Sequence, residues 1–178
     1  MTDGPDPAPD ETTNLDIYGS QALPWSRPLD LLKTELPRPE IPVFLGTTDP
    51  DGRPHSNGIG IAWVDGALYF TSGPGTRKAR NLRGNPACTL SLRLTGIDLV
   101  LDGEATIVDD TATLEKVAEE YRDGGWPAQV EGDALTAPFC APSAGPPPWY
   151  VYRFGFHSAV GVSTAEPYGA TRWRFSIA

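Results

Sequence analysis

An antiparallel β structure closing into a full or partial barrel, with two or three short helices, is the fold that this sequence predicts. Alternating apolar and polar residues recur along the chain, most cleanly in "ACTLSLRLT" (Ala87 to Thr95). Tight-turn signals separate such runs, at Asp49-Pro50-Asp51-Gly52 and at Asp65-Gly66. Helical spacing occurs only in short stretches, and hairpins joined by tight turns favour a closed or partly closed barrel. With 178 residues the chain has room for one domain with its own core, placed at 25–178.

Taken in order, residues 1–24 read as a disordered leader: acidic, Pro-rich and without an apolar period. Ser26 to Leu36 reads as a helix, with Leu29, Leu32 and Leu36 on one face, a Ser cap candidate, and Pro37 and Pro39 beyond it. Val43 to Thr48, His55 to Val64 and Ala67 to Ser72 are strands flanking the two turns. Thr76 to Arg83 is a short helix capped by Thr76 and stopped near Asn85-Pro86. Ala87 to Thr95 and Asp98 to Val108 are the next strands. Asp110 to Tyr121 is the clearest helix, with Leu114, Val117, Ala118 and Tyr121 on one side. Residues 124–148 form a long Pro-rich irregular stretch. Trp149 to Phe156, Ala159 to Ser163 and Thr171 to Ile177 are the last strands.

Charge is unevenly placed. The chain carries a formal −9, and Asp3, Asp6, Asp10, Glu11 and Asp16 lie in its first sixteen residues. Between Asp65 and Asp98 there is no acidic residue, yet Arg77, Lys78, Arg80, Arg83 and Arg93 fall there. A basic island in an acidic chain points to a small anionic ligand, since nucleic acid calls for a broader basic face. No stretch reaches the ~20 apolar residues of a membrane helix, and no signal-peptide pattern opens the chain. Two cysteines, Cys88 and Cys140, demand no disulfide, so a cytoplasmic protein is expected. His55 and His157 are far apart with no further ligands at fixed spacing, so no metal is expected. There is no nucleophile elbow and no justified Cys/His pair.

The basic island centres on "FTSGPGTRKARNLRGNP" (Phe70 to Pro86). A strand ends at Thr71-Ser72, Gly73-Pro74-Gly75 turns, and a helix begins at Thr76. A helix N-terminus favours anions, so Arg77 and Lys78 in its first turn oppose the dipole. A bound phosphate explains them, with hydroxyls from Thr71, Ser72 and Thr76; Arg80 and Arg83 read as solvated surface charge. Gly58 and Gly60 in "SNGIGI" leave room for a flat ring close to the backbone, or mark a bend in the strand.

"DGRPHSNGIGIAW", "GALYFTSGPGTRKARNLRGNPACTLSL" and "GEATIV" resemble the pyridoxamine 5′-phosphate oxidase-like split-barrel family, and "YGATRWRF" resembles its flavin/deazaflavin oxidoreductases. The resemblance spans roughly Val43 to Phe175. It implies a six-stranded antiparallel split β-barrel, usually a homodimer with the cofactor at the subunit interface, using FMN or the deazaflavin F420. Some members bind haem or other ligands. By resemblance, Arg77 and Lys78 match the pair holding the cofactor phosphate, and Thr71 and Ser72 the strand end beside the phosphate and ribityl chain. Ser56, Asn57, Gly58, Ile59 and Gly60 match the strand along the ring. Where pyridoxamine oxidases proper carry an Arg-led aliphatic run ending in Lys, this chain has "SNGIGI".

The expectation is an F420-dependent reductase, moving a hydride from the reduced cofactor to a C=C or C=N bond of a small organic substrate. An FMN oxidoreductase of the same fold is the nearest alternative, and a non-catalytic flavin- or haem-binding protein the alternative of another class. Trp126, Phe139, Trp149 and Tyr150 are candidates for a substrate pocket, against the simpler reading of a loop packed on the barrel end. Arg172 and Arg174 share one face of the last strand and Trp173 the other. That places the arginines toward cofactor or partner, or in solvent with Trp173 in the core.

Overall fold

In the computed structural model, residues 5–176 are described, and strands dominate. β1 (Glu11–Asn14) precedes α1 (Ser26–Glu35), followed by β2 (Val43–Thr48), β3 (Pro54–Gly58), β4 (Ile61–Val64) and β5 (Ala67–Ser72). Then come α2 (Arg77–Gly84), β6 (Ala87–Leu94), β7 (Ile97–Val108) and α3 (Thr111–Asp123). A small hairpin of β8 (Gln129–Glu131) and β9 (Ala134–Thr136) precedes β10 (Tyr150–Ser163) and β11 (Ala170–Arg174).

All pairings are antiparallel, and the main sheet runs β1-β11-β10-β7-β6-β2-β3. β10 is the seam of the split barrel. One edge pairs with β7 throughout; the other is divided, its first half on β5 and its second on β11. A bulge between Phe156 and Ser158 marks the change of partner, where the strand must bend. The stretch expected as one strand, His55 to Val64, breaks at Ile59-Gly60: β3 pairs with β2, and β4 turns away to pair with β5. That bend closes the barrel. Six strands (β2, β3, β5, β6, β7 and β10) form its framework, and β1, β4 and β11 extend it.

Period-2 alternation places Leu45, Leu90, Leu92, Leu99 and Leu101 inside the barrel with Phe70, Phe154 and Trp173. β5 is covered on both faces: Leu68 and Phe70 point into the barrel, while Ala67 and Tyr69 lie under α3. α3 follows its sequence closely. Asp110 caps it by accepting from Thr113 N at 2.9 Å, and Leu114, Val117, Ala118 and Tyr121 are its buried face. α2 is capped as expected, Thr76 Oγ1 accepting from Ala79 N. α1 differs at its start: Trp25 is the capping position, Ser26 is already helical, and no side chain caps the helix.

The disordered leader is corrected by the structure within residues 5–24; residues 1–4 lie outside the described residues. β1 pairs with β11, Leu23 is buried, and the Trp25 indole N–H donates to Pro7 O at 2.8 Å. Polar composition hid this, because β1 is held by backbone bonds along a sheet edge and needs no apolar face. The expected irregular stretch 124–148 also contains the β8–β9 hairpin.

Arg27 ties α1 to two distant loops. Its Nη2 donates to Gly96 O at 3.0 Å, Ser163 Oγ at 2.9 Å and Ala165 O at 3.2 Å, and its Nη1 donates to Pro167 O at 2.6 Å. Arg27→Ala leaves part-buried carbonyls unpaired and should lower unfolding free energy by about 2 kcal/mol. Urea denaturation measures this; a loss under about 0.5 kcal/mol would show the clamp to be water-replaced.

Candidate functional site

A cleft of about 530 Å³ opens where the β3–β4 bend, the α1–β2 linker and the end of α3 meet. Gly58, Ile59, Gly60 and Ile61 form one side and Thr71 closes the strand end. Tyr121 and Trp126 come from α3 and the residues after it, and Phe139, Cys140 and Ala141 from the Pro-rich loop. Leu36 to Pro39 and Ile41 to Phe44 complete the wall. The lining is mostly apolar, and Arg38 is its one charged residue among the described residues.

Neither Gly58 nor Gly60 has a left-handed φ, and a Cβ added at either would meet nothing within 4 Å. Both glycines therefore leave open space beside the cleft. The two readings of this pair coexist, since the strand also breaks here.

The aromatic wall is fixed in place. Trp126 stacks edge-on against Tyr121 (centroids 5.2 Å apart, planes at 85°) and against Trp149 (5.6 Å, 60°). Its indole N–H donates to Phe139 O at 2.7 Å, pinning the Pro-rich loop. The Tyr121 hydroxyl lies 3.4 Å from both Gly60 O and Tyr69 O, and burial holds its pKa above the ordinary tyrosine range. Trp126 and Phe139 thus line the cleft. Trp149 is core, and Tyr150 packs half-buried at the start of β10.

The basic turn divides. Arg77 and Lys78 are neighbours on α2 and so point about 100° apart. Arg77 is half exposed and pairs with Asp49 at 3.1 Å. Asp49 sits in the β2–β3 turn, and the Arg53 backbone N–H and then the Arg77 side chain hold its carboxyl below the ordinary range. Lys78 is 6% exposed and enters none of the ion pairs among the described residues. Burial lowers its pKa, and it is within electrostatic reach of Cys140 in the cleft. Arg80 donates to Gly75 O and Arg83 is exposed, as surface charge would be.

The hydroxyls are already engaged. Ser72 Oγ and Thr76 Oγ1 are 2.7 Å apart, and Thr76 Oγ1 donates to Gly73 O at 2.9 Å. The turn backbone is covered too, for a Cβ on Gly73 would lie 2.5 Å from Ala144 O. Asn57 lies outside the cleft lining, and its Oδ1 is buried without a hydrogen-bond partner; Ser56 is exposed on the edge strand β3. Of the ten expected cofactor residues, Gly58, Ile59, Gly60 and Thr71 converge on the cleft. Ser72, Thr76 and Lys78 lie around the α2 start, and Arg77 faces Asp49. Sequence reasoning missed that Arg38, Tyr121 and Cys140 line the cleft. Tyr121 sits at the end of an amphipathic face, where its position signals core alone. Trp173 is fully buried and Arg174 faces Glu11 at 3.8 Å, so the last strand turns neither toward the cleft.

Fitness for a phosphorylated ring cofactor can be tested on these features. An open glycine backbone, a buried unpaired ammonium and an unpartnered buried amide oxygen fit such a group. Gly73 is covered by Ala144 while Gly75 stands open, and Lys78 is the buried cation at this end of α2.

Comparisons with known proteins converge on one family. The family model described as pyridoxamine 5′-phosphate oxidase matches residues 32–136. The pyridoxine/pyridoxamine 5′-phosphate oxidase of Acidothermus cellulolyticus is 32% identical over 111 residues, 60% of this chain and 49% of that protein. The chain therefore spans about half the length of this curated relative. Among solved structures, a conserved hypothetical protein of Mycobacterium tuberculosis superposes with a TM-score of 0.59 at 18% identity, covering 82% of this chain and 88% of that one. A pyridoxamine 5′-phosphate oxidase-related, FMN binding protein of Nostoc punctiforme does so with 0.54 at 16% identity, covering 84% and 90%. At these identities the structural likeness shows the fold.

Proposed function

The chain belongs to the pyridoxamine 5′-phosphate oxidase family, and from that premise we propose that it is an oxidoreductase whose cleft holds a flavin-type cofactor, F420 by first choice and FMN as the alternative. The observation that carries this reading is Lys78, a buried ammonium without an ion pair beside an apolar cleft. An unpaired buried cation is costly, and a phosphate supplies the missing partner. F420 ranks first on the likeness of "GPGTRKARNL" and "TRWRF" to the deazaflavin members.

Lys78 would hold the phosphate, with Thr71, Ser72 and Thr76 hydroxyls near it and Arg77 adding field from its Asp49 pair. Gly58, Ile59 and Gly60 would lie along the ring, with Asn57 and Ser56 continuing the same strand beside it. When bound and reduced, the deazaflavin supplies a hydride for a C=C or C=N bond. The chain's part is to orient the acceptor and exclude water, which the Trp126–Phe139 wall does. Phe44 lines the cleft yet is 49% exposed, and β3 is an unpaired edge. Both favour a homodimer in which a second copy completes the site. Among the described residues no helix is long and apolar enough to cross a membrane.

Titration of the purified chain with F420 and FMN tests the assignment. Micromolar or tighter F420 binding supports it; an FMN absorbance band with no F420 binding moves it to FMN, and a Soret band to haem. Gly60→Val adds a side chain to open space without backbone strain. It should fold with unchanged stability yet weaken cofactor at least tenfold, while an unchanged affinity would remove the ring from this strand.

A further inference from the structure

Given the ligand-binding role proposed above for this cleft, we infer that its mouth takes a flat, apolar substrate bearing a carboxylate, with Arg38 as the residue that selects it. Arg38 belongs to the Pro37-Arg38-Pro39 linker between α1 and β2. Its backbone is pinned on both sides: its N–H donates to Glu35 O at 3.1 Å, and its carbonyl accepts from Ile41 N at 3.1 Å. Its side chain is exposed, lines the cleft, and makes no hydrogen bond or ion pair among the described residues.

Most arginines here are committed elsewhere. Arg27 clamps two loops, Arg53, Arg77, Arg93 and Arg174 pair with carboxylates, and Arg80 and Arg122 bond carbonyls. Arg38 is uncommitted and borders the cleft. Its guanidinium is a planar fork matched to a carboxylate, and it stands beside walls of proline, isoleucine and aromatic rings that reward a flat hydrocarbon body. The chain's net charge of −9 gives anions no general attraction. Preference for a carboxylate must therefore arise locally, and Arg38 is the local source. Lys78 lies at the α2 side and serves the phosphate proposed above, so the two cations answer to different anions.

Matched probes separate the parts. Binding of 2-naphthoate and of 2-naphthamide to the full chain is measured by calorimetry. Wild type should bind the carboxylate about tenfold more tightly than the amide, the scale of one charge-assisted contact. Arg38→Gln should bring the ratio close to one by weakening the carboxylate alone, and Arg38→Lys should fall between, because an ammonium lacks the fork. Equal affinities in wild type, a ratio preserved in Arg38→Gln, or no binding of either probe at millimolar concentration would each overturn the inference. Cofactor titration is scored apart from these ratios, so a chain that binds neither F420 nor FMN sinks the cofactor assignment while the naphthoate ratio is still read by itself.

Discussion

Lys78→Met should weaken the phosphorylated cofactor roughly 10- to 100-fold, the range expected for one charge-assisted bond of ~1.5–3 kcal/mol. The same substitution should raise the stability of the cofactor-free chain by about 1 kcal/mol. In the absence of an anion, Lys78 is a buried ammonium with no ion pair, and methionine fills similar volume without the charge. The two effects have opposite signs, and a solvated surface lysine would show neither. The pH dependence follows from the direction of the shift. Burial lowers the folded-state pKa, so the unfolded chain binds this proton more readily and the penalty is present below the folded pKa. It is relieved as pH rises from there toward the ordinary lysine range, so the stability gain from Lys78→Met should shrink at alkaline pH. Calorimetry with cofactor and thermal melts without it measure both halves. Arg77→Gln serves as the contrast: with Arg77 paired to Asp49 and half exposed, its loss should weaken cofactor less than Lys78→Met does.

Trp25→Ala should lower stability by about 3–5 kcal/mol. The indole is buried against Phe156, Trp173 and Phe175, with ring centroids 5.9, 5.3 and 4.8 Å away, and its N–H bonds Pro7 O. Truncation opens a cavity among three aromatic rings, carried by β10, by β11 and by the residue that follows β11. At two to four degrees per kcal/mol for a chain of this size, the melting temperature should fall by about 10 °C. Trp25→Phe keeps most of the ring packing and loses the bond to Pro7, so it should lose only about 1 kcal/mol. A melting temperature unchanged in Trp25→Ala would return the N-terminal segment to the peripheral status its composition implies.

What the sequence made legible was local. Thr76 announced itself as a cap because a cap needs only its own next three residues. The β6 and β7 alternation stood out because both strands lie over one continuous core. β1 was hidden because "ETTN" pairs with β11 about 160 positions away chiefly through backbone groups. The bend at Ile59-Gly60 was visible as a glycine pair, but whether it opened a ring seat or turned the strand depended on β5 lying across the barrel. The cleft shows the same limit. Its glycines and Thr71 were legible, while Arg38 passed unremarked between Pro37 and Pro39 and Tyr121 read as helix packing. Arg77 and Lys78 looked equivalent as a charged pair; helical geometry sends adjacent residues apart, and Asp49 took the first.

A crystal structure of the chain with its cofactor tests the central claim most directly. The account predicts a phosphate oxygen within about 3 Å of Lys78 Nζ and the ring against Gly58 to Gly60. A phosphate held by Arg80 and Arg83 on the exposed face of α2, or a ring seated away from the β3–β4 bend, would contradict it.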